Sequence, residues 1–278
     1  MRNGPTTHPK KKAQLVQQLT RFRREIKHIC GRAVAPVFQI GAIRKYAMHR
    51  AADAAGFWSD DYPALEARHL DNPRLFANRE DLISAMTSVE GGVIAEVGVA
   101  HGVFSEYLLN ELRPRKFVAF DIFNMHEWDT YCNVPTNVLL NNMTHLDYYR
   151  RKFADRGSQV VIEVGRSNLN LAKYPDKSFD LICIDADHSY EGVKQDANLA
   201  KEKVTDNGVI VFNNYVAFDF FMGERYGVIR AVNELIINSD WRVCGLSLQC
   251  AMYCDIAIHK QSGPSPWDKN LKLSTPQK

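Results

Sequence analysis

The sequence has no apolar run approaching the roughly 20 residues that a membrane-spanning helix requires. No apolar segment follows its N-terminal charges, as a signal peptide would demand. Cysteine is sparse and unpatterned: Cys30, Cys132, Cys183, Cys244, Cys250 and Cys254 form no CxxC pair and show no Cys/His metal spacing. A disulfide framework and a zinc site are therefore not expected, and a reduced, soluble, cytoplasmic protein is. There is no internal repeat, no low-complexity segment and no phosphate loop of the GxxxxGK type followed by Ser or Thr. What remains is ordinary: 278 residues, 45% hydrophobic and 24% charged, enough to bury a core without disulfide or metal.

Charge is present but unevenly placed. Residues 1–34 hold nine basic side chains against Glu25, a net +8 in a chain of net +3, so the rest carries −5. The body is thus mildly acidic, no RNA-binding motif is seen, and no nucleic-acid partner is expected. After a disordered start, Leu15, Leu19, Phe22, Ile26 and Ile29 recur at helical spacing with Arg and Lys on the other face. Such a basic amphipathic helix packs on the body or on a second subunit, making a homo-oligomer, or docks peripherally on an anionic membrane surface. Residues 35–88 read as a helical cap or extension, loosely patterned around Trp58, Tyr62, Pro63 and Pro73. Within it, Asn78 is a plausible N-cap, with Asp81 at the third position of a helix running to about Met86. Residues 261–278 read as a disordered tail.

Beyond Gly91-Gly92 strands and helices alternate. Strands are expected at Val93–Val99, Lys116–Ile122, Gln159–Val164, Phe179–Ala186 and Gly208–Asn213. Helices are expected near Phe104–Leu112, His145–Phe153, Tyr190–Lys201 and Gly227–Asn238. The nearly continuous apolar strands imply a parallel sheet covered on both faces by helices. Trp241–Ser247 and Ala251–His259, joined by only Leu248–Cys250, imply a C-terminal antiparallel pair. The expected fold is therefore α/β, a doubly wound and mostly parallel sheet over residues 89–260, with a helical extension before it.

The most informative stretch is the loop after the first of these strands, Glu96-Val97-Gly98-Val99-Ala100-His101-Gly102-Val103-Phe104-Ser105. Glycines let a ligand approach the backbone, and open α/β sheets bind ligands at the carboxyl ends of their strands. The dinucleotide fingerprint fails, because Ala100 and Val103 stand where GxGxxG needs glycine. Glu96 would meet a pyrophosphate with a carboxylate, so a cationic ligand suits the loop better. Asp121, closing the next strand, can accept both hydroxyls of a ribose. An adenosine-bearing, positively charged cofactor satisfies both acids.

Two further loops lie on the same edge. The fourth strand runs into Ile184-Asp185-Ala186-Asp187-His188-Ser189-Tyr190-Glu191-Gly192, and the fifth into Asn213-Asn214. Oxygen ligands from both tips would suit Mg²⁺, and His188 is the side chain there suited to act as a general base. Alternatively, Asp187 or Ser189 caps the following helix and His188 faces solvent.

Glu96-Val-Gly-Val-Ala-His-Gly with Asp121, and the strand order around them, resembles the class I S-adenosylmethionine-dependent methyltransferases, a Rossmann-like fold. The resemblance covers about residues 89–260. It implies that Glu96, Gly98 and Gly102 hold the methionine part of the cofactor and Asp121 the ribose, that Ser167 lies near the adenine, and that Ser105 and Asp185 add further cofactor contacts. Ile-Asp-Ala-Asp-His-Ser-Tyr-Glu-Gly resembles the branch that includes metal-dependent sugar O-methyltransferases. That implies Mg²⁺ held by Asp185, Asn213 and Asn214, with His188 as base and Asp187 as its substitute. Here the sequence departs from the pattern, since Asn213 stands where Asp is expected and removes one charge from the site.

The expected activity is methyl transfer from S-adenosylmethionine to a hydroxyl of a sugar or glycan. Phe123, Trp128, Tyr131, Phe218, Phe220 and Phe221 could stack on the acceptor or belong to the core. A small phenol or catechol is the rival acceptor, and a catalytically silent cofactor-binding module is the rival from another class.

Overall fold

The structure, a computed structural model, describes residues 62–220, 223–263 and 265–267. The basic leader, its helix with the proposed membrane or subunit docking, and the cap up to residue 61 lie outside the described residues.

The unbroken apolar runs become the buried strands β2 (Val93–Val97), β3 (Lys116–Asp121), β4 (Val160–Val164), β5 (Phe179–Ile184) and β6 (Val204–Phe212). They join β1 (Leu70–Phe76), β7 (Trp241–Ser247) and β8 (Asp255–Lys260) in an eight-stranded sheet ordered β1-β7-β8-β6-β5-β2-β3-β4. Every neighbouring pair is parallel except those made by β8, which runs against both β6 and β7. Helices cover both faces, as doubly apolar strands require. Of the seven among the described residues, α1 (Arg79–Ser84), α2 (Val103–Leu112) and α4 (His145–Lys152) pack on the face of Ile94, Phe117 and Leu181. On the face of Val97, Phe120 and Ile184 pack α5 (Ser167–Leu171), α6 (Tyr190–Lys203) and α7 (Val228–Ile237). The short α3 (Thr136–Leu139) follows a two-strand ribbon of Thr130–Tyr131 with Val134–Pro135.

Three readings of the sequence need correction. Leu70–Phe76, within the stretch read as a helical cap, is a strand parallel to β7. Pro73 is tolerated there because β1 is the sheet edge, where no ladder bond is lost on the open side. The antiparallel pair is present but does not end the sheet: β8 is inserted between β6 and β7, and β1 continues the sheet beyond β7. The tail is folded at its beginning. Trp267 is buried against the flat backbone of Gly245, with its ring 5.2 Å from Phe76, and Ser88 N donates to Pro266 O. As expected, Asn78 caps α1, accepting from Asp81 N at 2.7 Å, although the helix stops at Ser84. Among the described residues no helix is long and apolar enough to cross a membrane.

Candidate active site

Sheet register alone gathers the predicted residues. Val97 pairs with Phe120 and Ile184, and Ile184 with Phe212, so the strands end level with one another. A row of backbone bonds extends the alignment past the strand ends. Gly165 N donates to Asp121 O, Gly98 N to Phe120 O, Asp185 N to Val97 O and Asn213 N to Ile184 O, all at 2.7–2.9 Å. Gly98, Asp121, Asp185 and Asn213 therefore share one edge of the sheet. Because β8 runs backwards, it is its first residue, Asp255, that reaches the same edge, beside Phe212 and Asn213.

Among the described residues two grooves line this edge. The larger, about 470 Å³, lies against Gly98, Asp121, Met125, Trp128, Tyr131, Ser167, Asp185, Asp187 and His188. The smaller, about 360 Å³, is walled by Arg79, Glu96, Gly98, His101, Phe104, Tyr131 and Asp185. Tyr131 and Asp185 stand on the boundary between them.

Glycine is required at both loop positions, for different reasons. Gly98 has φ +85°, and a Cβ there would lie 2.1 Å from Asp185 O, so this turn presses directly on the neighbouring strand tip. Gly102, with φ +75°, opens α2, and a Cβ would sit 3.0 Å from the rings of Tyr149 and Phe153. Its role is to admit those rings, and it lines neither groove.

Glu96 points into the α1–α2–α4 face and is 2% exposed. Its carboxyl accepts from Ser105 Oγ at 2.5 Å, and Ser105 Oγ accepts from the buried Tyr149 hydroxyl at 2.9 Å. Burial pushes the Glu96 pKa up to about 8, against the pull of the Ser105 bond. Ser105 is thus a buried partner of Glu96 that lines neither groove.

Asp121 accepts from Val99 N at 2.8 Å through one oxygen and from Phe123 N at 2.7 Å through the other. Each ionised oxygen has a second lone pair to offer a ligand. Ser167 Oγ donates to Asp196 Oδ1 at 2.7 Å, and burial raises the pKa of Asp196 to about 6. Asp187 accepts from Ser189 N at 2.8 Å, while the Ser189 side chain caps α6 by accepting from Gly192 N. The His188 ring stacks on Tyr226 with centroids 4.5 Å apart, its Nε2 3.5 Å from Asp185 Oδ1 and without a hydrogen bond. Of the candidate aromatics, Trp128 and Tyr131 line the larger groove, Phe123 and Phe218 are core, Phe220 is half exposed, and Phe221 lies outside the described residues.

An adenosine-bearing cofactor fits this architecture. The larger groove lies within the volume range of small-molecule sites, apolar Met125 and Trp128 share its wall with Asp121, and it opens at the strand tips. A divalent cation does not fit. Asp185 pairs with Arg79, Asn213 donates its amide to Asp255 at 2.7 Å, and neither Asn213 nor Asn214 lies in the wall of either groove. Among the described residues no group of three or more His, Cys, Asp or Glu side chains could hold a metal. Sequence reasoning missed Arg79 and Asp255, which lie outside the strand-to-helix loops it searched; the only signal for Arg79 was its place in the first turn after the Asn78 cap.

Residues 95–215 match a family model described as a methyltransferase domain. No curated protein sequence matches the chain. Among solved structures, a candidate caffeoyl-CoA O-methyltransferase from Staphylococcus aureus is similar at 14% identity, with 86% of this chain and 98% of that one covered and a TM-score of 0.48. A candidate rRNA methylase from Clostridium thermocellum gives 17% identity, 66% and 94% coverage, and a TM-score of 0.45. A tRNA methyltransferase from B. subtilis gives 12%, 68% and 67%, and 0.44. At these levels none of the three bears on the acceptor. The matched region spans the glycine loop, Asp121, Asp185 and Asn213, so residues 95–215 carry a methyltransferase domain.

Proposed function

We propose that the protein methylates a hydroxyl of a sugar or glycan, with residues 89–260 as the catalytic domain and a cytoplasmic location. The observation that carries this reading is the placement of His188, its ring fixed on Tyr226, in the wall of the groove that also holds Asp121. Asp121 would hold the ribose, with Ser167 toward the adenine. Gly98 and Glu96, on the side of the smaller groove, would take the methionine part. When bound, S-adenosylmethionine supplies a methyl group made electrophilic by a positively charged sulfur. An alcohol is a poor nucleophile until deprotonated, and His188 would take that proton. The imidazolium so formed would have its charge offset by Asp185 at 3.5 Å. The remaining contribution is proximity, the holding of acceptor oxygen against the cofactor by the groove walls. Trp128 and Tyr131, ring centroids 6.3 Å apart on that wall, suit a planar phenol as well as a sugar face, so a phenol or catechol is the second reading.

Calorimetric titration with S-adenosylmethionine and its demethylated product tests the cofactor site. Asp121→Asn, which keeps one acceptor oxygen for the loop amides, should weaken binding at least tenfold, or about 1.4 kcal/mol. An unaltered dissociation constant would remove Asp121 from the ribose role. Once an acceptor is found, His188→Ala should lower turnover by roughly a hundredfold or more with cofactor affinity unchanged; unchanged turnover would rule His188 out as the base.

A further inference from the structure

The tips of β5 and β6 are where a divalent cation would be expected, and a guanidinium stands there instead. Arg79, at the first position of α1, is 14% exposed and lies between two carboxylates. Its Nη1 is 3.3 Å from Asp185 Oδ2, its Nε 2.9 Å from Asp255 Oδ2, and its Nη2 3.3 Å from Asp255 Oδ1. Its Cζ sits 4.5 Å from the centroid of Phe104, which holds the planar group from a third side.

Asp255 is completely buried and saturated. Besides two bonds from Arg79 it accepts from Asn213 Nδ2 at 2.7 Å, Gln249 Nε2 at 2.9 Å and Ser247 Oγ at 3.2 Å. Five donors on a group with about four lone-pair sites leave nothing for a metal. Asn213 then has its own explanation. An aspartate there would set a second carboxylate against Asp255, whereas the amide donates to it.

We infer that Arg79 supplies the positive charge at the tips of β5 and β6 in place of a metal ion, so that no divalent cation is held by Asp185, Asn213 and Asn214. A guanidinium cannot make room by losing its proton, since its pKa lies far above any working pH. Burial opposes its charge, but Asp185 and Asp255 outweigh that and hold its pKa above the ordinary arginine value. Adding Mg²⁺ would set three positive charges against two negative ones within a few ångströms, a repulsion strengthened by the low local dielectric. The charge comes from outside the matched methyltransferase domain, because α1 precedes residue 95. That a cation is expected here at all rests on the resemblance to metal-dependent methyltransferases.

The experiment is a Mn²⁺ titration of the full chain, with free Mn²⁺ read by electron paramagnetic resonance. Wild type should leave Mn²⁺ free, and Arg79→Met, which uncovers Asp185 and Asp255, should gain at least tenfold in Mn²⁺ affinity. A wild-type site tighter than about 1 mM that disappears in Asp185→Asn would overturn the inference. So would a folded Arg79→Met chain, verified by circular dichroism, that gains no Mn²⁺ binding. If Arg79→Met does not fold, Arg79→Lys keeps a charge and the wild-type comparison with Asp185→Asn decides. S-adenosylmethionine binding, measured on the same samples, is a separate readout. Its loss would sink the methyl-transfer reading and leave the cation result standing.

Discussion

Glu96 shows how a single carboxyl can be legible in sequence and still be misread in detail. Its place before Gly98 pointed to a group facing a cation, and it does reach the wall of the smaller groove. Yet it accepts its hydrogen bond from Ser105, inside the core, and burial keeps its pKa near 8. A carboxyl raised from 4.5 to about 8 is protonated in the folded protein where it would be ionised in the unfolded chain. Its contribution to stability is therefore fully present below about pH 4.5 and is lost as pH rises through the window to about 8. Glu96→Gln, which fixes the neutral form, should flatten this decline. Urea midpoints measured from pH 5 to 8.5 should fall less steeply in the variant than in wild type. The difference is bounded at about 1.4 kcal/mol per pH unit for one proton. Parallel curves would mean that Glu96 is ionised in the folded state.

At the scale of elements, the buried strands were legible because an unbroken apolar run can satisfy its side chains only between two helical layers. β2 through β6, β7, and helices α2, α4, α6 and α7 all lie within a few residues of where periodicity put them. What periodicity could not see was β1. Its exposed Leu70, Arg74 and Leu75 give no alternation, since an edge strand with one free side buries little. Missing β1 also hid Arg79, because it is the turn from β1 into α1 that carries that guanidinium to the site. Asp255 was hidden for a topological reason. In a parallel strand the site residue comes last, but β8 is reversed and presents its first residue. The tail was misjudged because one aromatic decides it: Trp267 packs on β7 at Gly245, under the ring of Phe76 and the guanidinium of Arg74. Trp267→Ala should destabilise the protein by about 3 kcal/mol, the low end for a buried tryptophan, as read from urea unfolding. A loss under about 0.5 kcal/mol, the range of ordinary surface changes, would show that the segment after β8 contributes nothing to the fold.

For the whole molecule, stability and function meet in the open edge of the sheet. The backbone bonds that align Gly98, Asp121, Asp185 and Asn213 hold the site without a ligand, but both grooves leave polar groups exposed to water there. A cofactor bound across those tips would tie together β3, β2 and β5, which the fold otherwise joins only edge to edge. Ligand that binds only the folded state stabilises it by mass action, about 2.7 kcal/mol at one hundred times the dissociation constant. For a domain of this size each kcal/mol moves the melting temperature by about 2–4 °C, so S-adenosylmethionine at that excess should raise it by roughly 5–10 °C. The demethylated product should act similarly, because it keeps the adenosine part that Asp121 is proposed to hold. Asp121→Asn should lose most of the shift at the same concentration. A nicotinamide dinucleotide should give none, since the loop at Gly98 lacks the glycines that admit a pyrophosphate. The reverse pattern, a shift with the dinucleotide and none with S-adenosylmethionine, would overturn the reading of this edge as a sulfonium site while leaving the sheet and its register untouched.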